Sequence, residues 1–440
     1  MQCARLSEKR LLEDIKRALA HVADVLHIPL EVRLWDGTSV ALKQGSSLPA
    51  LTIKGQGVIA SLIKKPTLEN LVNHYAVGNI ALSGGELFDT LESIRDSAKK
   101  KDIKRLSKLR LLRSLWPFIF TAGEKAVAAH DFRHDEGGAE HKNENNKNYI
   151  QFHYDVGNDF YQLFLDPQMQ YSCAYFKDIS GSLEQAQQDK LEMICRKLRL
   201  QKDDRFLDIG CGWGGLICYA AQHYGVKAHG ITLSEEQYAF TKEKIRTLGL
   251  EDKVTVEIRD YLTLEGAYDK IASIGMFEHI GLANFPAYFR KIRSLLRDGG
   301  IVLNHGIARR GKTNARKALT NVTPEKRMIL KYIFPGSELA PIGHSLNSME
   351  AQGFEIHDVE AWREHYALTC KHWCKRLSAD KERAIALVGL ERYNLWVAYL
   401  AGVSLGFTAG SILIFQTVAS KRSKAKGPSG LPLTRADLYR

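Results

Sequence analysis

The residues best equipped for chemistry stand at the ends of short apolar runs. Arg205 to Gly215, RFLDIGCGWGG, is an apolar run ending in Asp208, followed by glycines at 210, 212, 214 and 215 and an apolar helical pattern from Leu216. A strand, a glycine turn and a helix bring bare backbone close to a nucleotide-like ligand and aim a helix N-terminus at it. The spacing is not the dinucleotide fingerprint, because Gly210-x-Gly212-x-Gly214 lacks the two-residue gap before its last glycine. An acid two residues ahead of that turn suits a ligand without a pyrophosphate, and S-adenosylmethionine is the natural candidate. Asp208 is expected to face its cationic amino-acid end, with the backbone of Gly210, Cys211, Gly212 and Gly214 along it. The alternative is a tight strand-helix turn with no ligand. The second run ends in GITLSEEQ, where Thr232 and Gln237 stand in for the acid that many such sites place near ribose hydroxyls. The third ends in Asp260-Tyr261, where an acid can accept from an adenine amine. The fourth and fifth end in GMFEHIG and NHGI, which put Glu278, His279 and His305 at one edge. A lone histidine there is more often structural, but Glu and His on neighbouring strand ends favour a functional site.

These residues need a sheet to bring them together. From 205 onward the pattern predicts strands at 205–210, 227–233, 254–260, 268–275, 299–307, 354–360 and 411–418, with helices in most gaps. The expected fold is α/β, a doubly wound, mostly parallel seven-stranded sheet with its ligand at the carboxyl ends of the first strands. Leu395 to Ser420 carries no charge over 26 positions, but its hydroxyl and amide residues and Gly410 favour a buried helix leading into a final strand over a membrane span. Residues 1–130 read as a smaller α+β domain, 131–148 as a polar linker, and 149–440 as the main domain. The start of the chain is too charged for an export signal.

The 440 residues suffice for two or three domains. The net charge of +12 is local. Residues 95–113 hold nine Lys/Arg against two Asp, residues 421–440 hold six against one Asp, and the rest is neutral. A basic stretch running into Trp116–Phe120 suits a membrane surface, and packing onto the main domain is equally open. Nucleic acid fits the charge, but no base-reading element accompanies it. Seven scattered cysteines point to free thiols in a reducing compartment. Cys370, His372 and Cys374 resemble metal ligands, yet only the two cysteines share a helix face, and no metal is expected.

HYDVGNDFYQLFLDPQMQYSCAYF, LDIGCGWGGL, GITLSEEQ, SIGMFEHIG and YIFPGSEL, spread over about 149–420, together resemble the cyclopropane-fatty-acyl-phospholipid synthases and the related mycolic acid cyclopropane synthases. The resemblance implies a class I methyltransferase fold and methylation by S-adenosylmethionine of a cis double bond in a phospholipid acyl chain. It implies a carbocation stabilised by aromatic faces, for which Tyr171, Tyr175, Phe176 and Phe277 are candidates. It also implies a bound bicarbonate that takes the proton for ring closure. By motif, the holders of that anion are Cys173, Glu278, His305, Ile307 through its backbone, and Tyr366 in WREHYALTCKHW. Tyr171 and Ser172 join the expected cofactor-binding set. The basic insertion Arg309 to Pro324 matches no motif. Loss of a different proton would give a methylene or methyl branch; a small-molecule or sterol methyltransferase and a non-enzymatic lipid-binding protein are further alternatives. The implied location is cytoplasmic and peripheral to an anionic membrane, with a homodimer as a further expectation.

Overall fold

The computed structural model describes residues 2–45, 47–126, 156–311, 323–333, 337–422 and 429–439. The 131–148 linker, the cluster Gln151–Asp155, most of the 309–324 insertion and residues 423–428 of the basic tail lie outside the described residues. The chain forms two compact units, the first from 1–133, 322–333 and 374–402, the second from 134–321, 334–373 and 403–440.

The first unit is α+β. Strands β1 (Glu31–Arg33), β2 (Ser39–Ala41), β3 (Ala50–Ile53) and β4 (Ile80–Ser83) make a sheet in the order β2-β1-β3-β4. Leu11, Ile15 and Ala18 of the amphipathic helix Gln2–Leu26 share a core with Val32, Ile53, Val58 and Phe118. Two segments that sequence alone placed in the main domain pack here, for a visible reason. The carbonyls at the end of the helix Leu68–Ala76 lack intrahelical partners, as in every helix, and Asn394 Nδ2 donates to those of Tyr75 (which also accepts the Gly78 amide) and Ala76, both at 3.1 Å. Tyr332 likewise donates to Asn73 Oδ1 at 2.9 Å.

In the second unit all seven expected strands form. They are β5 (Arg205–Ile209), β6 (Lys227–Thr232), β7 (Val254–Ile258), β8 (Tyr268–Ile274), β9 (Leu296–Arg309), β10 (Phe354–Ala361) and β11 (Ile412–Lys421). Their order is β10-β11-β9-β8-β5-β6-β7, parallel except where β11 runs antiparallel to both neighbours. In β5 every residue after Arg205 is buried, as a central strand covered on both faces requires. The switch in strand order between β5 and β8 opens the crevice in which such sheets bind ligands. The uncharged stretch after Leu395 completes the helix Lys381–Thr408, bent at Gly389, and then becomes β11. No helix among the described residues is long and apolar enough to cross a membrane.

Candidate active site

At the carboxyl end of β5 the chain turns sharply, and Gly210, Gly212 and Gly214 all take positive φ, at 83°, 54° and 75°. The amides of Gly210 and Cys211 both donate to the Ile231 carbonyl at 3.0 Å, which ties the turn to β6. A cavity opens there. Asp208, Gly210, Cys211 and Gly212 line one side with Tyr171 and Ser172, and Thr232, Gln237, Asp260 and Tyr261 line another. Of the expected cofactor residues only Gly214 is absent from this wall. A Cβ there would stand 2.5 Å from Thr241 Cγ2, so Gly214 serves close helix packing instead. Thr232 Oγ1 donates to Gln237 Oε1 at 2.8 Å, and Asp260 Oδ1 accepts the Leu262 amide at 2.8 Å.

Asp208 is buried with Oδ1 unpartnered among the described residues, and burial pushes its carboxyl up to about 7. The same cavity is lined by Lys190, which sequence reasoning missed. Burial pulls its ammonium down to about 8, and Nζ donates to Ser172 Oγ at 3.1 Å and to Gln170 Oε1. A carboxyl and an ammonium on one cavity wall complement the zwitterionic end of an amino acid.

The remaining expected residues gather in two linked groups. Glu278 sits in the 3-10 turn Phe277–His279 after β8; Oε1 accepts the Ile307 amide at 2.6 Å, and its own carbonyl accepts the Glu338 amide at 3.1 Å. Its Oε2 is buried without a partner among the described residues, and burial raises the carboxyl to about 7. His305 lies two residues before Ile307 on β9, so both face the same side of the sheet. Its Nδ1 contacts Gln416 Nε2 at 3.1 Å, while Nε2 is buried without a partner among the described residues. Burial, reinforced by Lys190, Lys197 and His365, holds the ring's pKa well below its ordinary value, and the imidazole is neutral.

Cys173 and His305 meet around Trp362, a second residue the sequence did not single out, while the Tyr366 ring packs on Phe407 at 4.7 Å. Cys173 Sγ donates to the carbonyls of Ala174 at 3.3 Å and Trp362 at 3.7 Å. The His305 ring stands edge-on to the Trp362 ring at 5.1 Å, and the Tyr366 amide donates to the Trp362 carbonyl at 3.0 Å. Burial raises the Cys173 pKa well above its ordinary value, so the group is a thiol, not an activated nucleophile. Of the candidate aromatics, Tyr175 stacks on His365 (4.8 Å) and packs tilted against Trp362 (4.9 Å). Phe277 packs into the core with Phe285, Tyr288 and Phe289, and Phe176 stacks on His372. Among the described residues no three His, Cys, Asp or Glu side chains converge as metal ligands.

The family model described as mycolic acid cyclopropane synthetase matches residues 141–417. The chain is 38% identical to a probable fatty acid methyltransferase of Pseudomonas putida, over 94% of this chain and 97% of that protein. It is 40% identical to the cyclopropane-fatty-acyl-phospholipid synthase of Escherichia coli K12, over 61% of this chain and 66% of that one. Among solved structures, the mycolic acid cyclopropane synthase CmaA1 complexed with SAH and CTAB superposes with a TM-score of 0.59 at 33% identity, covering 62% of this chain and 98% of that one.

Proposed function

This chain belongs to the mycolic acid cyclopropane synthetase family, whose members are S-adenosylmethionine-dependent methyltransferases, and we propose that it methylates a cis double bond of a phospholipid acyl chain and closes a cyclopropane ring. The observation that carries this reading is that Glu278 Oε2 and His305 Nε2 are both buried with no partner among the described residues. Unpaired buried polar groups are costly, and ones kept at residues after β8 and within β9 suit a ligand. With the Ile307 amide on Oε1, a protonated Glu278 can donate from Oε2, and a neutral His305 can donate from Nε2. Two neutral donors suit a small oxyanion and do not repel it, so bicarbonate fits. When bound, bicarbonate supplies the proton acceptor for ring closure. The Ile307 amide is already committed to Glu278 and serves the anion by orienting that carboxyl. Cys173 stays a thiol and shapes the wall, and Tyr366 closes it.

The other side chains prepare the methyl transfer. Asp208 meets the ammonium of S-adenosylmethionine, Lys190 its carboxylate, Thr232 and Gln237 its ribose, and Asp260 its adenine amine. An alkene is a weak nucleophile, so close and dry presentation matters most. Tyr175, Trp362 and His365 exclude water and offer ring faces to a cation.

The first unit supports a route to lipid. Leu109, Leu112, Trp116 and Phe120 are 52–76% exposed within or just after the basic segment 95–113. Apolar side chains among cations suit an anionic membrane surface, at ~1 kcal/mol per Lys or Arg. A second reading, a methyl or methylene branch, is favoured by the name of the Pseudomonas putida relative, which matches nearly the whole chain.

Mass spectrometry of acyl chains decides, after purified protein is incubated with S-adenosylmethionine and monounsaturated phospholipid vesicles. The expected result is a gain of one CH2, with fragmentation showing a ring. Fragments of a branched chain would establish the second reading. No mass change with cofactor demonstrably bound would turn the proposal toward a small-molecule substrate.

A further inference from the structure

Strand register sets three polar side chains in one row: Glu360 on β10 stands opposite Gln416 on β11, and Gln416 stands opposite His305 on β9. Above the row, Lys197 descends from the helix Leu183–Leu198 with its side chain fully buried. Its Nζ donates to Gln416 Oε1 at 2.7 Å and also pairs with Glu360 Oε2. Lys197 is held down by burial and sustained by Glu360, with Asp358 adding to it and Arg435 opposing.

The chemistry of these atoms leaves one arrangement. An ammonium has donors and no acceptor, so the Gln416 atom facing Lys197 is the carbonyl oxygen. The amide nitrogen therefore faces His305 Nδ1, 3.1 Å away, and can only donate. Nδ1 must accept, so the single proton of a neutral ring sits on Nε2, the atom without a partner among the described residues. The partner of one ring nitrogen fixes what the other can do.

We propose that Lys197 and Gln416 are positioning residues that lock His305 in its Nε2–H tautomer, making it a fixed donor toward a small oxyanion shared with Glu278. The use of that donor rests on the oxyanion reading given above; the tautomer does not. In the absence of Lys197 the amide of Gln416 is free to turn over, and His305 then samples both tautomers. A histidine presenting a bare Nε2 lone pair repels an anion where it should bind one.

Nitrogen NMR of the full-length, cofactor-free protein with 15N-labelled histidine tests this, with His305→Gln assigning the ring. In the parent protein Nε2 is expected protonated and Nδ1 bare. In Gln416→Glu the new carboxylate faces Nδ1 and draws the proton there. In Lys197→Met the two tautomers mix, and affinity for 13C-bicarbonate falls about tenfold, which is 1.4 kcal/mol. A parent ring protonated at Nδ1 overturns the proposal, as does a ring that stays Nε2–H in both variants. If Gln416→Glu fails to fold, the parent and Lys197→Met still decide. Bicarbonate failing to bind a parent whose ring is Nε2–H overturns the oxyanion reading and leaves the tautomer standing. Bicarbonate binding to a ring protonated at Nδ1 does the reverse.

Discussion

Gly212 and Gly214 stand two residues apart in one turn, and the structure gives them opposite duties. At Gly214 a Cβ would meet Thr241 Cγ2 at 2.5 Å and Oγ1 at 3.1 Å, with φ at +75°. A left-handed non-glycine residue costs ~1–2 kcal/mol, and forcing a methyl into packed surroundings costs ~1–3 kcal/mol. Gly214→Ala is therefore expected to lose about 2–5 kcal/mol of stability. At Gly212 nothing among the described residues lies within 4 Å of the same atom, so only the conformational term of about 1–2 kcal/mol applies. Gly212 lines the cavity, however, and its new methyl occupies ligand space. Urea unfolding of cofactor-free protein should rank Gly214→Ala well below Gly212→Ala at constant slope. Calorimetric titration with S-adenosylhomocysteine should show the larger affinity loss in Gly212→Ala. Thr241→Ala removes the clashing atoms together with a bond to the Gly212 carbonyl. Combined with Gly214→Ala it should lose less than the sum of the two, by the ~1–3 kcal/mol of relieved overlap. Strict additivity, or equal stability losses at the two glycines, refutes the assignment of Gly214 to packing.

Burial keeps Asp208 protonated up to about pH 7, whereas in the unfolded chain it ionises near pH 4. Its contribution is full below about pH 4 and is lost as pH rises through 7, so cofactor-free Asp208→Asn is expected to be up to about 4 kcal/mol more stable than the parent at pH 8 while binding cofactor more weakly; thermal melts from pH 5 to 8 that stay parallel for the two proteins would count against this. Glu278→Met removes both the acceptor of the Ile307 amide and the Oε2 donor, so turnover should vanish with affinity for S-adenosylhomocysteine held within about twofold, and unchanged turnover in a coupled assay would remove Glu278 from the anion site. Leu112→Ser with Phe120→Ser should weaken binding to anionic vesicles by at least about tenfold in flotation, since burying either apolar side chain is worth ~1.5–3 kcal/mol, and unaltered flotation would place membrane contact elsewhere.

The strand ends were legible because each carries its own signal. Asp208 closes an apolar run, the glycines mark a turn with positive φ, and Glu278 follows β8 while His305 lies near the end of β9. The same local logic leaves the glycines unranked, since their spacing does not say which one faces a ligand and which one faces Thr241. Placement of 374–402 escaped it too. Asn394 of that segment donates to the carbonyls of Tyr75 and Ala76 at the end of a first-unit helix, and no periodicity around Asn394 records a partner more than 300 residues away in sequence.

The buried lysines had a signal, and it was of another kind. Leu183, Gln187, Lys190, Ile194 and Lys197 fall on one stripe of the helix Leu183–Leu198, and all are buried. A lysine on a core stripe is costly unless something pairs with it. Two of them seven residues apart, on the same face, announce two polar sites one helical repeat from each other. One is the cavity beside the glycine turn, reached through Gln170 and Ser172. The other is the row Glu360, Gln416, His305, whose members come from three strands and acquire meaning only through the antiparallel register of β11. Helical phase therefore tells where a charge must be answered, and the sheet tells by what. For His305 the answer is an amide turned by an ammonium, which no motif containing the histidine encodes.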